Sequence, residues 1–578
     1  MILQALAKYY EVLAKEGKAS KPGWCKEKVS YAINLSKEGE VLGILSLKTD
    51  VERGKKTVWV PVLRTVPERV TRSSGVAANF LCDNCKYLLG IDRDGADPRT
   101  LECFEAAKKK HVSCLEKAQG DMAQAVLRYF ENWEPQKAKE NPEILGKWEE
   151  LTEGGNLIFC MGAMDAQEDA EIQEAWETYR EQEEKGSPSV CLVTGKRSGI
   201  ARIHRPIRGV PGAQPSGAAL VSFNAPAFES YGKEQSYNAP VGEYGEFAYT
   251  TALNTLLAQR EDTVQLGDAM VVFWAEDGKK EYQDLFLESI DPPQDNIETI
   301  RDVFEKIKRR EPIRQRNVFL DPEQRFSILG VAPNAARLSV RFFYQNSFGN
   351  ILRNVSRHYE RMDIVKPAWE EREMLGINAM LEETVNKKSR NKKPVANMAA
   401  MVFRSVLEDG RYPASLYTDV LMRIRAEQGK GKVTWGRAGI IKACLIKNYG
   451  WTEGEYAMKL KEENNRAPYV LGRIFSELES IQKDANPGIK ATIRERYFNS
   501  ACASPASVFP VLLKLKNSHL KKLERERAGV KINYEKSLTD LMGRLEKFPT
   551  RLSLEEQGEF ILGYYHQTQK HFEKKEEK

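Results

Sequence analysis

The chain has 578 residues, of which 41% are hydrophobic and 29% charged, and it carries a net charge of +6. This length predicts roughly two to four domains, and the composition is typical of a globular protein rather than a disordered one. No stretch approaches the roughly 18 consecutive apolar residues of a membrane-spanning helix, and the nine cysteines lack regular spacing, so we expect a cytoplasmic protein with neither a membrane segment nor a disulfide framework.

The first 345 residues combine helix and strand signals. Apolar residues at helical spacing predict a helix over Ile2–Lys15. Alternating apolar residues between turn residues predict strands. The strands are expected at 29–35, 41–47, 58–63, 156–161, 189–194, 219–223, 270–274, 326–330 and 337–343, and a charged helix at 163–185 lies between them.

After about residue 345 strand signals almost vanish and helical periodicity dominates. Helices are expected at 395–407, 412–427, 433–449 and 468–483, with a basic loop at 387–393 and a flexible break at 429–432. Helices joined by short loops predict a bundle. The predicted fold class is therefore α+β, a mixed α/β N-terminal region followed by an all-α bundle. We divide the chain into a mixed domain at 1–345, a helical connecting region at 346–457 and a basic bundle at 458–578.

The positive charge is concentrated near the C-terminus. From Met458 to Lys578 there are 23 Lys and Arg residues and 17 Asp and Glu residues, so this segment holds the whole excess. Residues 514–551 alone contain 11 basic and 5 acidic residues. Such a cluster predicts contact with a polyanion, and a solvated helix face explains the pattern about equally well. The basic candidates are Lys514, Lys516, Lys521, Lys522, Arg525 and Arg527.

A second pattern lies between Gly209 and Leu257, where amide, hydroxyl and glycine residues are dense. Gln and Asn amides donate and accept hydrogen bonds together, which suits base edges in a DNA groove, and glycines allow the backbone to approach a phosphate closely. The run has no basic excess, so we expect it to contact DNA mainly through shape and hydrogen bonding. The candidates are Gly212, Gln214, Ser216, Asn224, Ser230, Tyr231, Lys233, Gln235 and Asn238.

A smaller candidate cluster lies upstream. It consists of Arg69, Arg72, Ser73, Ser74 and Asn79, in which the two arginines would position phosphates. Each candidate in both groups also has an ordinary structural explanation, because glycines make turns and Asn or Gln side chains cap helices or close turns.

Cysteines and histidines do not form a clear metal or catalytic pattern. Cys82 and Cys85, followed by Cys103, His111 and Cys114, could supply zinc ligands, but the second half lacks paired spacing and the first lies in an apolar stretch. We therefore favour buried free thiols and expect neither a metal nor another cofactor. The histidines are too scattered for a triad, and the sequence has no phosphate-binding Gly-x-x-x-x-Gly-Lys motif.

Several segments together resemble a known family. They are FLCDN at 80–84 with YLLG at 87–90, GAQPSGAALVSFNAPAFESYGKEQSYNAP at 212–240, YVLGRIFSELESIQ at 469–482 and LSLEEQGEFILGYYHQTQ at 552–569. On these segments the chain resembles the large subunit of the subtype I-C CRISPR interference complex, Cascade. The resemblance covers nearly the whole chain, and the first 70 residues match only in general character.

The resemblance implies a non-catalytic subunit placed at the 5′ end of the guide RNA, against the guide-processing subunit. Such a subunit recognises the protospacer-adjacent motif in duplex DNA, promotes R-loop formation and recruits a helicase-nuclease, while base pairing reads the longer sequence. Its implied partners are target duplex, displaced single strand, guide RNA, the Cascade backbone subunits and a small subunit. The alternative is a nucleic-acid-processing enzyme, such as a nuclease whose carboxylates converge only in the fold, and a scaffold that binds acidic protein is a weaker third hypothesis.

Met458 is a candidate internal start. The family is associated with a small subunit translated from within the large-subunit gene, and Met458 opens the segment that holds the net positive charge. The codons of Glu453-Gly454-Glu455 can spell a purine-rich ribosome-binding sequence just upstream. We therefore hypothesise that Met458–Lys578 is also made as a separate protein that lines the displaced strand. Other internal methionines, such as Met422, are the alternative.

Overall fold

The computed structural model describes residues 2–53, 56–70, 72, 75–182, 187–259, 263–386, 388–390, 394–452 and 457–572. The chain forms two compact units. The first contains Leu3–Ile207 and Ala219–Thr255, and the second contains Arg208–Ala218 and Leu256–Lys578. The amide-rich run of the sequence is therefore divided between the two units.

The first unit contains helices packed on a mixed sheet. Its helices are α1 (Ile2–Lys15), α2 (Cys85–Leu88), α3 (Pro98–Leu115), α4 (Asp121–Asn132), α5 (Pro142–Leu145), α6 (Trp148–Thr152), α7 (Ala170–Gln182) and α8 (Glu243–Ala258). Its strands are β1 (Trp24–Leu35), β2 (Val41–Ser46), β3 (Thr49–Arg53), β4 (Lys56–Val60), β5 (Val62–Pro67), β6 (Asn156–Met161), β7 (Met164–Asp165), β8 (Pro188–Val190) and β9 (Arg197–Gly199).

Strand β1 organises the five-stranded sheet of this unit. Its first half pairs antiparallel with β5 and its second half pairs antiparallel with β2. Strand β6 runs parallel to β1, and β7 follows β6 in the sheet. Tyr31, Ile33 and Phe159 are fully buried in the core that the sheet shares with α3, α4 and α7. A separate, smaller cluster buries Val29, Ala32, Ile158 and Cys160. Both faces of β1 and β6 are therefore covered, and their runs of apolar residues made the two strands predictable from sequence.

The second unit combines an antiparallel sheet with many helices. Its strands are β10 (Thr263–Leu266), β11 (Ala269–Ala275), β12 (Ile313–Gln315), β13 (Val318–Leu320), β14 (Arg325–Asn334) and β15 (Arg337–Ser347). Its helices are α9 (Lys280–Ile290), α10 (Ile297–Arg309), α11 (Phe348–Met362), α12 (Ile377–Glu382), α13 (Ala396–Leu407), α14 (Ala414–Ala426), α15 (Trp435–Tyr449), α16 (Ala467–Ala485), α17 (Ile493–Ala503), α18 (Pro505–Glu526), α19 (Ala528–Gly543) and α20 (Leu554–Lys570).

One hydrophobic core runs through the second unit. The sheet has the order β10-β11-β14-β15, and a continuous cluster of buried side chains extends from Leu266 in β10 to Tyr565 in α20. The sheet therefore shares its core with the C-terminal helices. The sequence-based division placed these strands and the C-terminal helices in different segments. The α+β class with a helical C-terminal region is confirmed.

Helices α16 and α20 approach each other at glycines. A Cβ atom on Gly472 would lie 2.0 Å from the carbonyl oxygen of Phe560, and one on Gly563 would lie 2.1 Å from the carbonyl oxygen of Tyr469. Only glycine permits backbones to come this close. The two helices that carry the C-terminal sequence motifs are thus packed backbone against backbone.

Two predicted strands differ from the structure. The strand expected at 58–63 is divided between β4 and β5 at Pro61, because proline has no N–H to donate to a ladder. The strand expected at 189–194 ends at Val190, because the chain turns and the Gly195 N–H donates to the Cys191 carbonyl over 2.8 Å.

Two further expectations are corrected. Residues 219–223 belong to no strand, because a turn closed by the Gly217 N–H and the Gln214 carbonyl precedes them and a 3-10 turn at Pro226–Phe228 follows. The helix expected from residue 163 begins at Ala170, because β7 pairs with β6 first. None of the helices in the described ranges is both long and apolar enough to cross a membrane.

Candidate nucleic-acid interface

Residues 229–238 of the first unit form a closed loop around the Asn238 side chain. Its Oδ1 accepts from the Ser230 N–H over 2.8 Å, and its Nδ2 donates to the carbonyls of Lys233 and Gln235 over 2.6 and 2.9 Å. Tyr231 and Gly232 have φ angles of 55° and 67°, and the Lys233 N–H donates to the Ser230 carbonyl over 3.1 Å. Two successive positive φ values are typical of a type I′ turn.

A second set of contacts fixes the base of the 229–238 loop. The Gln235 N–H donates to Glu229 Oε1 over 3.1 Å, and Arg202 Nε donates to Gln235 Oε1 over 2.7 Å. Tyr231, at the tip, is 99% exposed, and Ser230 and Lys233 are also exposed. The loop therefore presents an aromatic ring, a hydroxyl and an ammonium group from a braced backbone.

A cleft of about 710 Å³ lies beside this loop in the first unit, and Arg202 lines it. Its other cations are Arg69, Lys110, Arg180 and Arg205, and its carboxylates are Glu68, Glu177, Glu243 and Glu246. Arg205 forms ion pairs with Glu68 and, over 2.9 Å, with Glu246. The cleft thus mixes both signs of charge, and two of its carboxylates are held by one arginine.

Burial controls two titratable groups next to this cleft. It raises the pKa of the Glu246 carboxyl to about 7, although Arg205 opposes the shift. It also lowers the pKa of His204 to about 4, and the His204 Nδ1 lies 2.6 Å from the Tyr249 hydroxyl. His204 is therefore neutral at physiological pH, and the protonation state of Glu246 is sensitive to pH near 7.

Two of the upstream candidates, Arg72 and Asn79, form contacts with other residues of the first unit. Arg72 forms a two-point ion pair with the buried Asp83, in which one nitrogen donates over 3.1 Å, and its guanidinium lies 3.9 Å from the centre of the Tyr87 ring. Asn79 is buried, and its Oδ1 accepts from the Val70 N–H over 2.9 Å. Arg72 and Asn79 thus organise this turn.

Two other members of that cluster give less information. Ser73 and Ser74 lie outside the described residues. Arg69 forms an ion pair with Glu27 over 3.4 Å and lines the same cleft as Arg202. It is therefore the upstream arginine that shares a cleft with a residue holding the 229–238 loop. Its candidate role in phosphate contact stays a prediction.

The rest of the amide-rich run is split between the units. Gly212, Gln214 and Ser216 belong to the second unit and are exposed. The Gln214 carbonyl accepts from the Gly217 N–H over 2.8 Å, and Gly217 has a φ of 102°. Asn224 belongs to the first unit, and its side chain is exposed without a hydrogen-bond partner among the described residues.

Helix α18 separates the basic candidates into faces. Lys514, Lys521 and Arg525 are exposed and are seven and four residues apart, so they lie within an arc of about 40° around the axis and span about 16 Å along it. We call these three residues the basic stripe. None of them has a hydrogen-bond or ion-pair partner among the residues that the structure describes. A row of solvated cations at this spacing can contact successive phosphates.

The other basic candidates are placed differently. Lys516 lies on roughly the opposite side of α18 from the basic stripe and contacts Asn517 over 3.4 Å. Lys522 donates to Asn486 over 3.3 Å, and Arg527 is 4.0 Å from Asp484. The six residues therefore do not form one surface.

The family model described as CRISPR-associated protein (Cas_Csd1) matches residues 6–572. The chain belongs to this family. The match confirms the resemblance drawn from the four sequence segments and assigns the chain to a CRISPR system. No curated protein matches the chain.

The cysteines of this CRISPR-associated protein are free thiols. Cys82, Cys85, Cys103 and Cys114 are all buried, and burial raises the pKa of the Cys85 thiol to about 11. The His111 Nε2 accepts from the Leu81 N–H over 2.9 Å. In the part of the chain that the structure describes, no group of three or more His, Cys, Asp or Glu side chains could hold a metal ion.

Met458, the candidate internal start of this CRISPR-associated protein, is 43% exposed. Its carbonyl accepts from the Val365 N–H over 2.8 Å. The upstream residues Glu453, Gly454 and Glu455 lie outside the described residues. A backbone hydrogen bond at Met458 therefore joins the segment that begins there to the preceding helical region, at Val365.

Sequence reasoning missed the residues that hold the candidates in place. Asp83 and Glu229 lie within the segments that carry the family resemblance and Arg202 lies outside them, but the roles of all three depend on partners that only the fold brings together. The available signal was local only, since Glu229 and Asn238 flank a Tyr-Gly pair that favours a tight turn.

Proposed function

We propose that this CRISPR-associated protein is the non-catalytic large subunit of a type I-C, RNA-guided surveillance complex. It recognises a short protospacer-adjacent motif in duplex DNA and promotes R-loop formation. It also holds the displaced strand and recruits a helicase-nuclease that cuts the target. Its further partners are the guide RNA, the Cascade backbone and guide-processing subunits, and a small subunit.

The observation that carries this proposal is the braced 229–238 loop. Recognition of a groove needs side chains held at fixed positions, because each freely rotating group loses entropy when it binds. Asn238 and Gln235 use their amides to hold the loop, which leaves Ser230, Tyr231 and Lys233 as the groups that would meet DNA. This division of roles revises the proposed list of contacts: Asn238 would act as a positioning residue, and Ser230, Tyr231 and Lys233 would touch DNA.

The basic stripe of α18 supports the second part of the proposal. A displaced single strand exposes phosphates without a fixed sequence, and contacts to it are electrostatic and salt-dependent. Lys514, Lys521 and Arg525 supply three cations in a line of about 16 Å, enough to follow a short stretch of backbone. Lys516, on the opposite side, would contribute little to this contact.

The proposal assigns strand cleavage to a partner. The enzyme hypothesis is tested directly by incubating the purified chain with Mg²⁺ or Mn²⁺ and single-stranded or duplex DNA or RNA. Reproducible cleavage that disappears on substitution of one carboxylate would establish a nuclease and overturn the non-catalytic assignment. We expect no cleavage by the chain alone.

The recognition role is tested with the complex assembled from the chain, its guide and the products of its neighbouring genes. Its binding to a duplex library, randomised next to the guide-matched sequence, should show a strong preference for one short motif. Tyr231→Ala should reduce binding to the preferred motif about tenfold or more. Motif-independent binding by the unaltered complex would overturn the proposal as a whole, whereas a silent Tyr231→Ala would overturn only the assignment of this loop.

A further inference from the structure

The second unit contains a cleft that the proposed DNA-binding role does not use. It has a volume of about 300 Å³ and lies among α10, α11, the start of α15 and the segment 373–375. Its floor is apolar and buried, formed by Phe304, Tyr359, Met362, Leu375 and Trp435. A volume at the lower end of the range for ligand sites accommodates one or two side chains rather than a large cofactor.

Two glycines of α15, Gly436 and Gly439, line the cleft beside Trp435. A Cβ atom on Gly439 would come within 2.8 Å of the Met362 carbonyl oxygen, and one on Gly436 would come within 2.8 Å of the Glu383 side chain. The helix therefore packs tightly at both glycines and contributes only backbone there, whereas Trp435 of the same helix contributes its ring to the floor. The opening is a consequence of helix packing, so it is preformed.

The rim of the cleft is acidic. Its cations are Arg301 and Lys308, and its carboxylates are Glu305, Glu360, Asp363 and Glu373. The two cations are already paired, Arg301 with Glu373 over 3.1 Å and Lys308 with Glu305 and Glu360 over 2.7 and 2.8 Å. Asp363 is exposed, and its carboxylate has no partner among the described residues.

These features favour one class of occupant. An excess of carboxylates repels phosphates, so a nucleic acid is disfavoured, and it attracts Lys or Arg. Apolar side chains seated in a buried pocket and ringed by polar contacts are the usual anchors of protein interfaces. We propose that this cleft receives an apolar side chain of a protein partner, flanked in the partner's sequence by Lys or Arg that pairs with Asp363.

The site is tested by placing the photo-crosslinker p-benzoylphenylalanine at Met374, which is half-buried at the cleft, in the full-length chain expressed with the products of its neighbouring genes. The matched control carries it at Met401, an exposed position of α13 outside the cleft lining. We expect a crosslink from position 374 alone, mapping to one protein segment in which an apolar residue adjoins Lys or Arg. A crosslink to RNA or DNA, to no partner, or to a segment without basic residues would overturn the proposal.

The charge contact has its own test. Asp363→Lys should lower the affinity for the mapped partner about tenfold, and reversing the partner's basic residue to Glu should restore most of it. Asp295→Lys, an equal charge change at an exposed position outside the cleft, should leave affinity unchanged. Equal losses in the two variants would show a general charge effect and contradict the proposed pair. None of these results depends on whether Tyr231 contacts DNA.

Discussion

The Asn238 side chain accepts a hydrogen bond from the Ser230 N–H over 2.8 Å and so closes the loop that carries Tyr231. Because the same amide also donates to two carbonyls, Asn238→Ala removes three hydrogen bonds, each worth about 1 kcal/mol. We expect duplex binding by the assembled complex to fall about tenfold and hydrogen exchange in residues 229–238 to accelerate. Asn132→Ala, at an exposed amide of α4 in the same unit, is the control and should change neither measurement.

The basic stripe predicts a salt effect. Lys521→Glu combined with Arg525→Glu should weaken target binding at least tenfold and reduce the slope of log affinity against log salt, while the preferred motif stays the same. Lys516→Glu, on the opposite side of α18, reverses one charge rather than two, so it is the matched control for Lys521→Glu alone and should have a small effect. A change in motif preference, or an equal loss in the control, would show that the stripe does not hold the displaced strand.

The close approach of α16 and α20 predicts that replacing a glycine there by alanine lowers the free energy of unfolding far more than the same change at an exposed glycine. In Gly472→Ala the new methyl group would lie 2.0 Å from a backbone carbonyl, so we expect a loss of roughly 3 kcal/mol or more in the free energy of unfolding. Gly529→Ala, in the exposed first turn of α19 with no atom within 4 Å, should be neutral or stabilising by up to about 1 kcal/mol. Chemical denaturation of both variants measures the difference.

The raised pKa of the Glu246 carboxyl predicts that the stability of the folded protein depends on pH. Burial raises its carboxyl pKa from 4.5 to about 7 in the folded protein, so the folded state holds the proton more tightly than the unfolded state does. Its contribution to stability is therefore full below about pH 4.5 and is lost as the pH rises through about 7. Glu246→Gln stays neutral and should flatten the decline between pH 5 and 8 in denaturation experiments. Glu243→Gln, an exposed carboxyl of the same helix, should not.

Met458→Leu tests the internal start. If translation begins at Met458, this change removes a protein of the size of residues 458–578 and leaves the full-length chain intact. Immunoblotting with a C-terminal tag detects both products. A short product of unchanged mass in the variant would rule out Met458, and Met422→Leu serves as the comparison.

The fold was predictable where periodicity and local chemistry agree. Helix α1 has the predicted bounds because it buries one face of apolar side chains, and strand β6 has them because it is a short apolar run buried on both faces. Residues 219–223 were predicted wrongly because an apolar stretch becomes a strand only when another strand pairs with it. The sheet of the second unit shares a core with α11 to α20, and no local pattern carries that information.

The candidate interface was predictable in composition and not in the roles of individual residues. The sequence indicated Asn238 and Tyr231 as equivalent candidates. In the structure the Asn238 side chain forms hydrogen bonds within the loop, whereas the Tyr231 side chain is exposed. Arg72 was a candidate phosphate ligand, and the structure shows it bound to Asp83. Lys514 and Lys516 differ by two positions, which in a helix is enough to separate them onto different faces.

The type I′ turn at Tyr231 and Gly232 fixes the backbone before any partner arrives. A flexible loop adapts to many surfaces and binds each of them slowly or weakly, because it must be ordered every time. A turn whose shape is set by folding can engage at first collision and release at once where the surface does not fit. In the proposed recognition role, in which very many DNA sites would be tested to find a single target, such rapid rejection would shorten the search.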